Sequence, residues 1–268
     1  MMIQFFVTDL DNTLLNDQKE INPQDQLALE KLMAAGVKIC LASGRSDHEI
    51  FSVMSHLEAK YHRISQNGAY VRTPEGVTLR STVFEGDLAK RIYESAEEKN
   101  LFGFIATEDR ILVTNRNHPS IPQIEEGLKI QFEEHPGALH EIGQQLQPSK
   151  LCYFGTEDQL HDLQSHIQHH FPNEVDSYIS DVHCVDLMPK HVSKGTALAY
   201  LLDHLQIQPD SVACAGDSYN DISMFELIPH SFVMKHANPE VKAHAKREIQ
   251  SVSEAVEWIL QYNKTCKI

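Results

Sequence analysis

The feature that most constrains this chain is a short apolar run that ends in two carboxylates. Ile3-Gln4-Phe5-Phe6-Val7 has the length and the β-branched and aromatic character of a buried strand. It leads directly into Asp9-Leu10-Asp11-Asn12-Thr13-Leu14. In an open α/β sheet, ligands gather at the carboxyl ends of the strands. If the extended geometry persists, Asp9 and Asp11 point to the same side. Like charges so close need a cation between them or a proton on one of them. Such a pair suits a nucleophilic carboxylate beside a general acid or base, or a divalent metal site. Taken alone, the stretch also reads as two solvated turn aspartates with Asn12 as the turn residue.

The same theme recurs along the chain. Asn22-Pro23 opens a helix with proline at its first position, and Gly36 stops it. Val37-Lys38-Ile39-Cys40-Leu41-Ala42 is a second buried strand that runs into Ser43-Gly44-Arg45. Ser46-Asp47-His48-Glu49 follows as a capping box, so a helix begins there. A hydroxyl and backbone N–H groups at a helix start form a natural phosphate site, though turn chemistry explains Ser43 equally well on its own. Arg63-Ile64-Ser65 ends in Gln66-Asn67-Gly68-Ala69, where Asn-Gly is first a turn signal and Asn67 a candidate site residue. Alternating strands and helices predict a parallel sheet.

From residue 82 to residue 188 the pattern changes to hairpins with interspersed helices. Strands are expected over 77–84, 102–106, 111–114, 150–154, 177–180 and 183–187, and helices over 87–99, 120–132 and 157–170. Glu108-Asp109-Arg110 and Asp181-Val182 read as hairpin turns. This predicts an α+β domain over 82–188, inserted into a core built from 1–81 and 189–268. The parallel pattern then resumes. Ser193-Lys194-Gly195 opens a helix, and Lys194 stands against the dipole preference there, which gives some weight to a functional lysine over an exposed one. Ser211-Val212-Ala213-Cys214-Ala215 is another buried strand, ending in Gly216-Asp217-Ser218-Tyr219-Asn220-Asp221. Ser251-Val252-Ser253-Glu254 reads as the cap of a last helix.

Composition narrows the partners. A chain of 268 residues with 41% hydrophobic content can bury a sizeable core. No apolar run approaches the roughly 20 residues that span a bilayer, and Met1-Met2-Ile3-Gln4 lacks the basic start of a signal peptide. A formal charge of −15 argues against nucleic acid and anionic membrane as partners. It also means that an anionic substrate must be met locally by metal, lysine and backbone N–H groups. Cys40, Cys152, Cys184, Cys214 and Cys266 are odd in number and scattered, without a C-x-x-C pair, which suits reduced thiols in a cytoplasmic protein.

In order and type, Asp-Leu-Asp-Asn-Thr-Leu, Ala-Ser-Gly-Arg, Ser-Lys-Gly and Gly-Asp-Ser-Tyr-Asn-Asp resemble the four motifs of the haloacid dehalogenase superfamily. The insertion between the second and third motifs resembles the type-2 cap of the Cof-type phosphatases, as does Asn67-Gly68-Ala69. Asp186 stands where that family usually has glutamate, and His191 where glycine is frequent. The resemblance implies an α/β, Rossmann-like parallel-sheet core with helices on both faces and an inserted α+β cap. It also implies a Mg²⁺-dependent phosphatase acting on small phosphomonoesters such as sugar phosphates, nucleotides or phosphorylated cofactors. By that resemblance Asp9 attacks phosphorus, and Asp11 protonates the leaving oxygen and then activates water. Asp9, Asp217 and the Asp11 backbone carbonyl would bind Mg²⁺, with Asp221 supporting the metal site from outside. Ser43, Gly44, Lys194 and Asn220 would hold phosphoryl oxygens. A phosphohexomutase-type transferase and a non-catalytic phosphometabolite-binding regulator are the alternative readings; intact Asp9, Asp11, Lys194 and Asp217 speak against the second.

Overall fold

The computed structural model describes residues 1–54, 60–181 and 183–266. The contacts divide the chain into two compact units, Met1–Ser81 with Ser193–Ile268, and Thr82–Val192. The first unit opens with β1 (Phe5–Thr8), α1 (Pro23–Ala34), β2 (Lys38–Ala42), α2 (Asp47–Val53), β3 (Tyr61–Ser65), β4 (Tyr70–Arg72) and β5 (Thr78–Ser81). The second unit carries α3 (Leu88–Glu97), β6 (Phe102–Ala106), β7 (Ile111–Val113), α4 (Ile121–Leu128), β8 (Glu133–Glu134), α5 (Ala138–Glu141), β9 (Lys150–Phe154), α6 (Glu157–His170), β10 (Val175–Asp181) and β11 (Cys184–Pro189). The first unit then resumes with α7 (Lys194–Leu205), β12 (Val212–Gly216), α8 (Ile222–Leu227), β13 (His230–Met234), α9 (Pro239–Lys242), β14 (Arg247–Ile249) and α10 (Val252–Thr265).

The first unit is built on a sheet in the order β14-β13-β12-β1-β2-β3-β4-β5. Its strands from β14 to β3 are parallel, and every residue of β1 is buried, as expected for a strand covered on both faces. Alternation sorts the side chains. Phe6 packs with Leu29 and Leu32 of α1 and Val252 and Val256 of α10, while Phe5 and Val7 pack with Leu198 and Leu201 of α7 and Phe225 of α8. Helices therefore cover both faces.

Three local expectations change. The strand expected over 77–84, across the expected boundary at residue 82, forms only over 78–81, as β5 of this first sheet, paired antiparallel with β4. The sheet is thus parallel only as far as β3, because the short β3–β4 and β4–β5 connections leave no room for a crossover helix. At α10, Ser251 makes no side-chain cap; the buried carboxylate of Asp25 on α1 accepts the Ser253 N–H at 2.7 Å instead. By contrast, Ser46 and Glu49 form the full capping box at α2.

The second unit has its own sheet, in the order β10-β11-β9-β6-β7-β8. Leu151 and Tyr153 of β9 and Val185 and Leu187 of β11 pack on one face against Ile92 of α3 and Leu160, Leu163 and Ile167 of α6. The opposite face carries Phe102, Phe104, Cys152, Phe154 and Cys184 with Ile121 of α4. The edge strand β8 and the one-turn helix α5 are too short to register as periodic patterns. Val182, in the expected turn at 181–182, lies outside the described residues.

Burial in the first sheet also makes the stability of the fold depend on pH. His62 of β3 is buried beside Phe5, ring to ring at 5.6 Å, and its Nδ1 has no hydrogen-bond partner among the described residues. Burial, helped by the nearby Lys38 charge, lowers its pKa to about 4. In the unfolded chain the imidazole titrates near its ordinary value of about 6.5. Between these values the unfolded state binds the extra proton, so stability falls as pH drops from about 6.5 to about 4. His62→Phe is expected to remove that loss, which amounts to at most about 3 kcal/mol. Urea unfolding of both proteins across this range checks it; parallel stability curves would show that His62 is not responsible.

Candidate active site

The register of the sheet brings the motifs together. Thr8 of β1 stands opposite Ala215 of β12 on one side and Leu41 of β2 on the other. Asp9, Asp217 and Ser43 therefore emerge side by side from adjacent parallel strands, at the edge where ligands bind in such sheets. The Asp9 N–H is tied to the Ala215 carbonyl at 2.9 Å. Ser43 is buried and held on both sides, its N–H on the Ile64 carbonyl and its carbonyl on the Asn67 N–H, each at 2.9 Å. Its hydroxyl oxygen accepts the Arg45 N–H at 3.2 Å.

Lys194 is the centre of the charge network. Ser193 caps α7 with its side chain on the Thr196 N–H, which starts the helix at Lys194. The lysine side chain is 0% exposed. Its ammonium donates to Asp9 Oδ1 and Asp221 Oδ1, both at 2.6 Å. Burial disfavours the ammonium, but Asp221 and Asp9 outweigh it and hold Lys194 in its charged form. The other Asp221 oxygen accepts the N–H groups of Asp217 at 2.9 Å and Ser218 at 3.0 Å. This close turn requires glycine at 216, since a Cβ there would stand 2.4 Å from Asp221 Cγ.

One ammonium does not offset the acids around it. Burial raises the pKa of Asp9 well above the ordinary carboxylate value; the charges of Asp221 and Asp217 add to this, and Lys194 opposes it. Burial also raises Asp217, although His236, at 3.7 Å, and the Thr13 hydroxyl, at 2.9 Å, favour its charged form. Oxygens of Asp9, Asp217 and Asp221 all lie within 4.8 Å of one another. This group could hold a metal ion, and its all-oxygen chemistry is that of a hard divalent cation. Asp221 already has both oxygens engaged by Lys194 and backbone N–H groups, so Asp9 and Asp217 are the better-placed side-chain ligands.

Asp11 is partnered quite differently. Arg45 Nε reaches its Oδ2 at 2.7 Å, Arg45 Nη2 its Oδ1 at 2.8 Å, and Lys19 Nζ its Oδ1 at 2.7 Å. Burial pushes the Asp11 pKa up, but hydrogen bonds and charge from Arg45, then Lys19, prevail and hold it at about 2. The two carboxylates that the sequence places two residues apart are thus served by separate cations. Asp11 is a carboxylate at neutral pH in this arrangement. It is ready to act as a base, and must be released from the Arg45 fork before it can carry a proton as an acid.

Asn67 joins the same edge through an unusual turn. Gln66, Asn67 and Gly68 all have positive φ, at 47°, 53° and 108°. A Cβ on Gly68 would stand 2.3 Å from the Ser193 carbonyl, so only glycine lets this turn lie against the start of α7. The turn presents Asn67 Oδ1 to Asn220 Nδ2 at 3.0 Å, a buried contact. Arg45, Lys19, Thr13 and His236 had been given no role from the sequence. Arg45 stood in the Ala-Ser-Gly-Arg motif and Thr13 in Asp-Leu-Asp-Asn-Thr-Leu, so both had a readable signal; Lys19 and His236 carry no local pattern.

The hairpin-turn residues of the insertion belong to the second unit. Arg110 is forked onto Glu133, with Nη2 at 2.6 Å and Nε at 2.9 Å from its oxygens. Glu108 and His183 are exposed, and the Asp181 side chain lies outside the described residues. A buried ion pair of that unit joins Lys150 and Asp186, at 3.2 Å on adjacent strands.

A parallel sheet with helices on both faces, an inserted α+β unit and an aspartate-lined strand edge describe a known class of hydrolase. The sequence pattern of the haloacid dehalogenase-like hydrolases matches residues 6–260, and the chain belongs to that family. It is similar to a 5-amino-6-(5-phospho-D-ribitylamino)uracil phosphatase of Bacillus subtilis, with 24% identity over 87% of this chain and 88% of that one. An HMP-PP phosphatase of Serratia proteamaculans is 26% identical over 90% of this chain and 87% of its own length. A HAD/COF-like hydrolase from Plasmodium vivax shares the fold, with a TM-score of 0.88 at 20% identity, covering 97% of this chain and 96% of that one. No helix among the described residues is long and apolar enough to cross a membrane.

Proposed function

We propose that the protein is a Mg²⁺-dependent phosphatase that hydrolyses small phosphomonoesters through an aspartyl-phosphate formed on Asp9. The observation that carries this reading is the partition of the two motif carboxylates, Asp9 onto buried Lys194 and Asp11 onto Arg45 and Lys19. Two chemically distinct carboxylates at one strand end suit a nucleophile and a separate proton carrier. The phosphatase relatives named above act on small phosphorylated molecules, and sugar phosphates, nucleotides and phosphorylated cofactors are the substrate classes to test.

In this reading the Asp9 carboxylate attacks phosphorus, and Lys194 fixes its orientation. The Lys194 ammonium, the Ser43 hydroxyl, the Gly44 N–H and the Asn220 amide are the donors for phosphoryl oxygens. Asp11, once released from the Arg45 fork and protonated, gives that proton to the leaving oxygen, then as a carboxylate takes one from the water that attacks the aspartyl-phosphate. Asp9, Asp217 and the Asp11 carbonyl would hold Mg²⁺, which offsets charge on the phosphoryl group and on the carboxylates facing it. Asp221 serves by holding Lys194 and the Asp217 loop. The insertion, over 82–188, selects the organic part of the substrate, since all four motifs lie outside it.

A phosphomonoester panel, assayed with purified protein before and after chelation, tests the proposal. Phosphate release that is lost on chelation and restored by Mg²⁺ supports it; release indifferent to chelation, with metal-free protein verified by elemental analysis, would refute the metal requirement. Asp217→Ala is expected to raise the Mg²⁺ concentration for half-maximal activity by about 10- to 100-fold, the scale seen when a metal site loses one of its supports. An unchanged Mg²⁺ titration would remove Asp217 from the site.

A further inference from the structure

The insertion brings two cysteines together. Cys152 lies on β9 and Cys184 opens β11, and the two strands are antiparallel neighbours. The register sets Cys152 opposite Asp186 and Cys184 opposite Phe154, so the cysteines are diagonal partners on one face of the sheet. Their sulfurs are 3.1 Å apart. Cys152 is buried and Cys184 half-buried, and both are free thiols. The Ser180 hydroxyl donates to the Cys184 sulfur at 3.4 Å.

Two chemistries suit such a pair. The Asp186 carboxylate lies with both sulfurs in a group whose atoms are within 4.8 Å of one another, which invites a thiophilic metal ion. Lys150 weighs against it: its ammonium, also buried, stands 3.2 Å from Asp186 Oδ1 and puts a fixed positive charge where the ion would have to share that oxygen. Binding would also require two thiolates, and burial pushes the Cys152 thiol up. A disulfide leaves no charge behind in the sheet; it requires the sulfurs to close from 3.1 Å to about 2.0 Å, with the two strands drawing together at the diagonal pair.

We propose that Cys152 and Cys184 form a thiol pair that low-molecular-weight disulfides oxidise to a cross-strand disulfide. The half-buried Cys184 reacts first. Its thiol gives up a proton, and the thiolate, supported by the Ser180 hydroxyl, attacks one sulfur of the reagent disulfide. The reagent S–S bond breaks, one small thiolate leaves, and a mixed disulfide forms on Cys184. Cys152 then loses its proton and attacks the Cys184 sulfur; the mixed disulfide breaks and the second small thiolate leaves. The protein loses two electrons and two protons, and the reagent is reduced to two thiols.

The remaining cysteines are internal references, Cys40 and Cys214 buried in the core and Cys266 exposed. The full-length protein is incubated with oxidised glutathione, quenched in acid, denatured, alkylated and digested without reduction. The expected map shows a peptide linking Cys152 to Cys184, with Cys40 and Cys214 alkylated and Cys266 carrying glutathione. Cys152→Ser should trap glutathione on Cys184, and Cys184→Ser should leave Cys152 alkylated. Should either variant fail to fold, the native map decides alone: Cys152 and Cys184 both recovered alkylated, while Cys266 is modified, would overturn the proposal.

Discussion

Asp9→Asn is expected to lower turnover by at least about 10³-fold while the protein still folds, a loss on the scale of removing other central catalytic groups. An amide nitrogen or oxygen is a poor nucleophile toward phosphorus, so no alternative group at that position takes over the first step. The fold should survive because Lys194 keeps its second partner, Asp221, at 2.6 Å. The substitution also removes one of three crowded acids, and burial already disfavours the charge of Asp9. Steady-state phosphate release by a mass-verified variant, alongside circular dichroism, is the measurement. Near-native turnover would take Asp9 out of the nucleophile's role.

Lys194→Met is expected to damage stability and activity together. The lysine is wholly buried and bridges two carboxylates. Removing one member of a buried ionic group leaves its partners uncompensated, at a cost of about 3–5 kcal/mol. In a chain of this size that lowers the thermal midpoint by about 10 °C. Turnover should fall by at least about 10²-fold, because the variant loses a charged donor for the phosphoryl oxygens and leaves Asp9 unpaired. The double variant Lys194→Met, Asp221→Asn separates the two effects. It should regain part of the stability, since one stranded carboxylate becomes a neutral amide, and none of the activity. Recovery of turnover in the double variant would mean that Lys194 serves only to neutralise Asp221.

Much of the fold was readable because its signals are local. The all-buried run at β1, the Ser46–Glu49 capping box and the 157–170 helix depend on neighbours within a few residues, and each stands where the pattern put it. The strand ends carrying Asp9, Ser43 and Asp217 were legible for the same reason, and the alternation of strands with helices then set them side by side. What was not legible is set by distant partners. Asp25 caps α10 from 228 residues away in sequence, and Arg45 grips Asp11 from 34 residues away; no local periodicity reports either. The strand expected over 77–84 runs only over 78–81, because half of its residues are exposed and no apolar pattern marks its end. Cys152 and Cys184, scattered in sequence, meet only through the pairing of β9 with β11.

The central claim is that Asp9 carries the phosphoryl group between ester and water, and the stereochemical course at phosphorus tests it most directly. Transfer to Asp9 and then to water comprises two in-line displacements, each inverting the configuration. Hydrolysis of a phosphorothioate ester made chiral by heavy-oxygen labels, in water carrying a further oxygen label, should therefore proceed with net retention. Net inversion would mean that water attacks the ester in a single step, and would contradict an aspartyl-phosphate on Asp9.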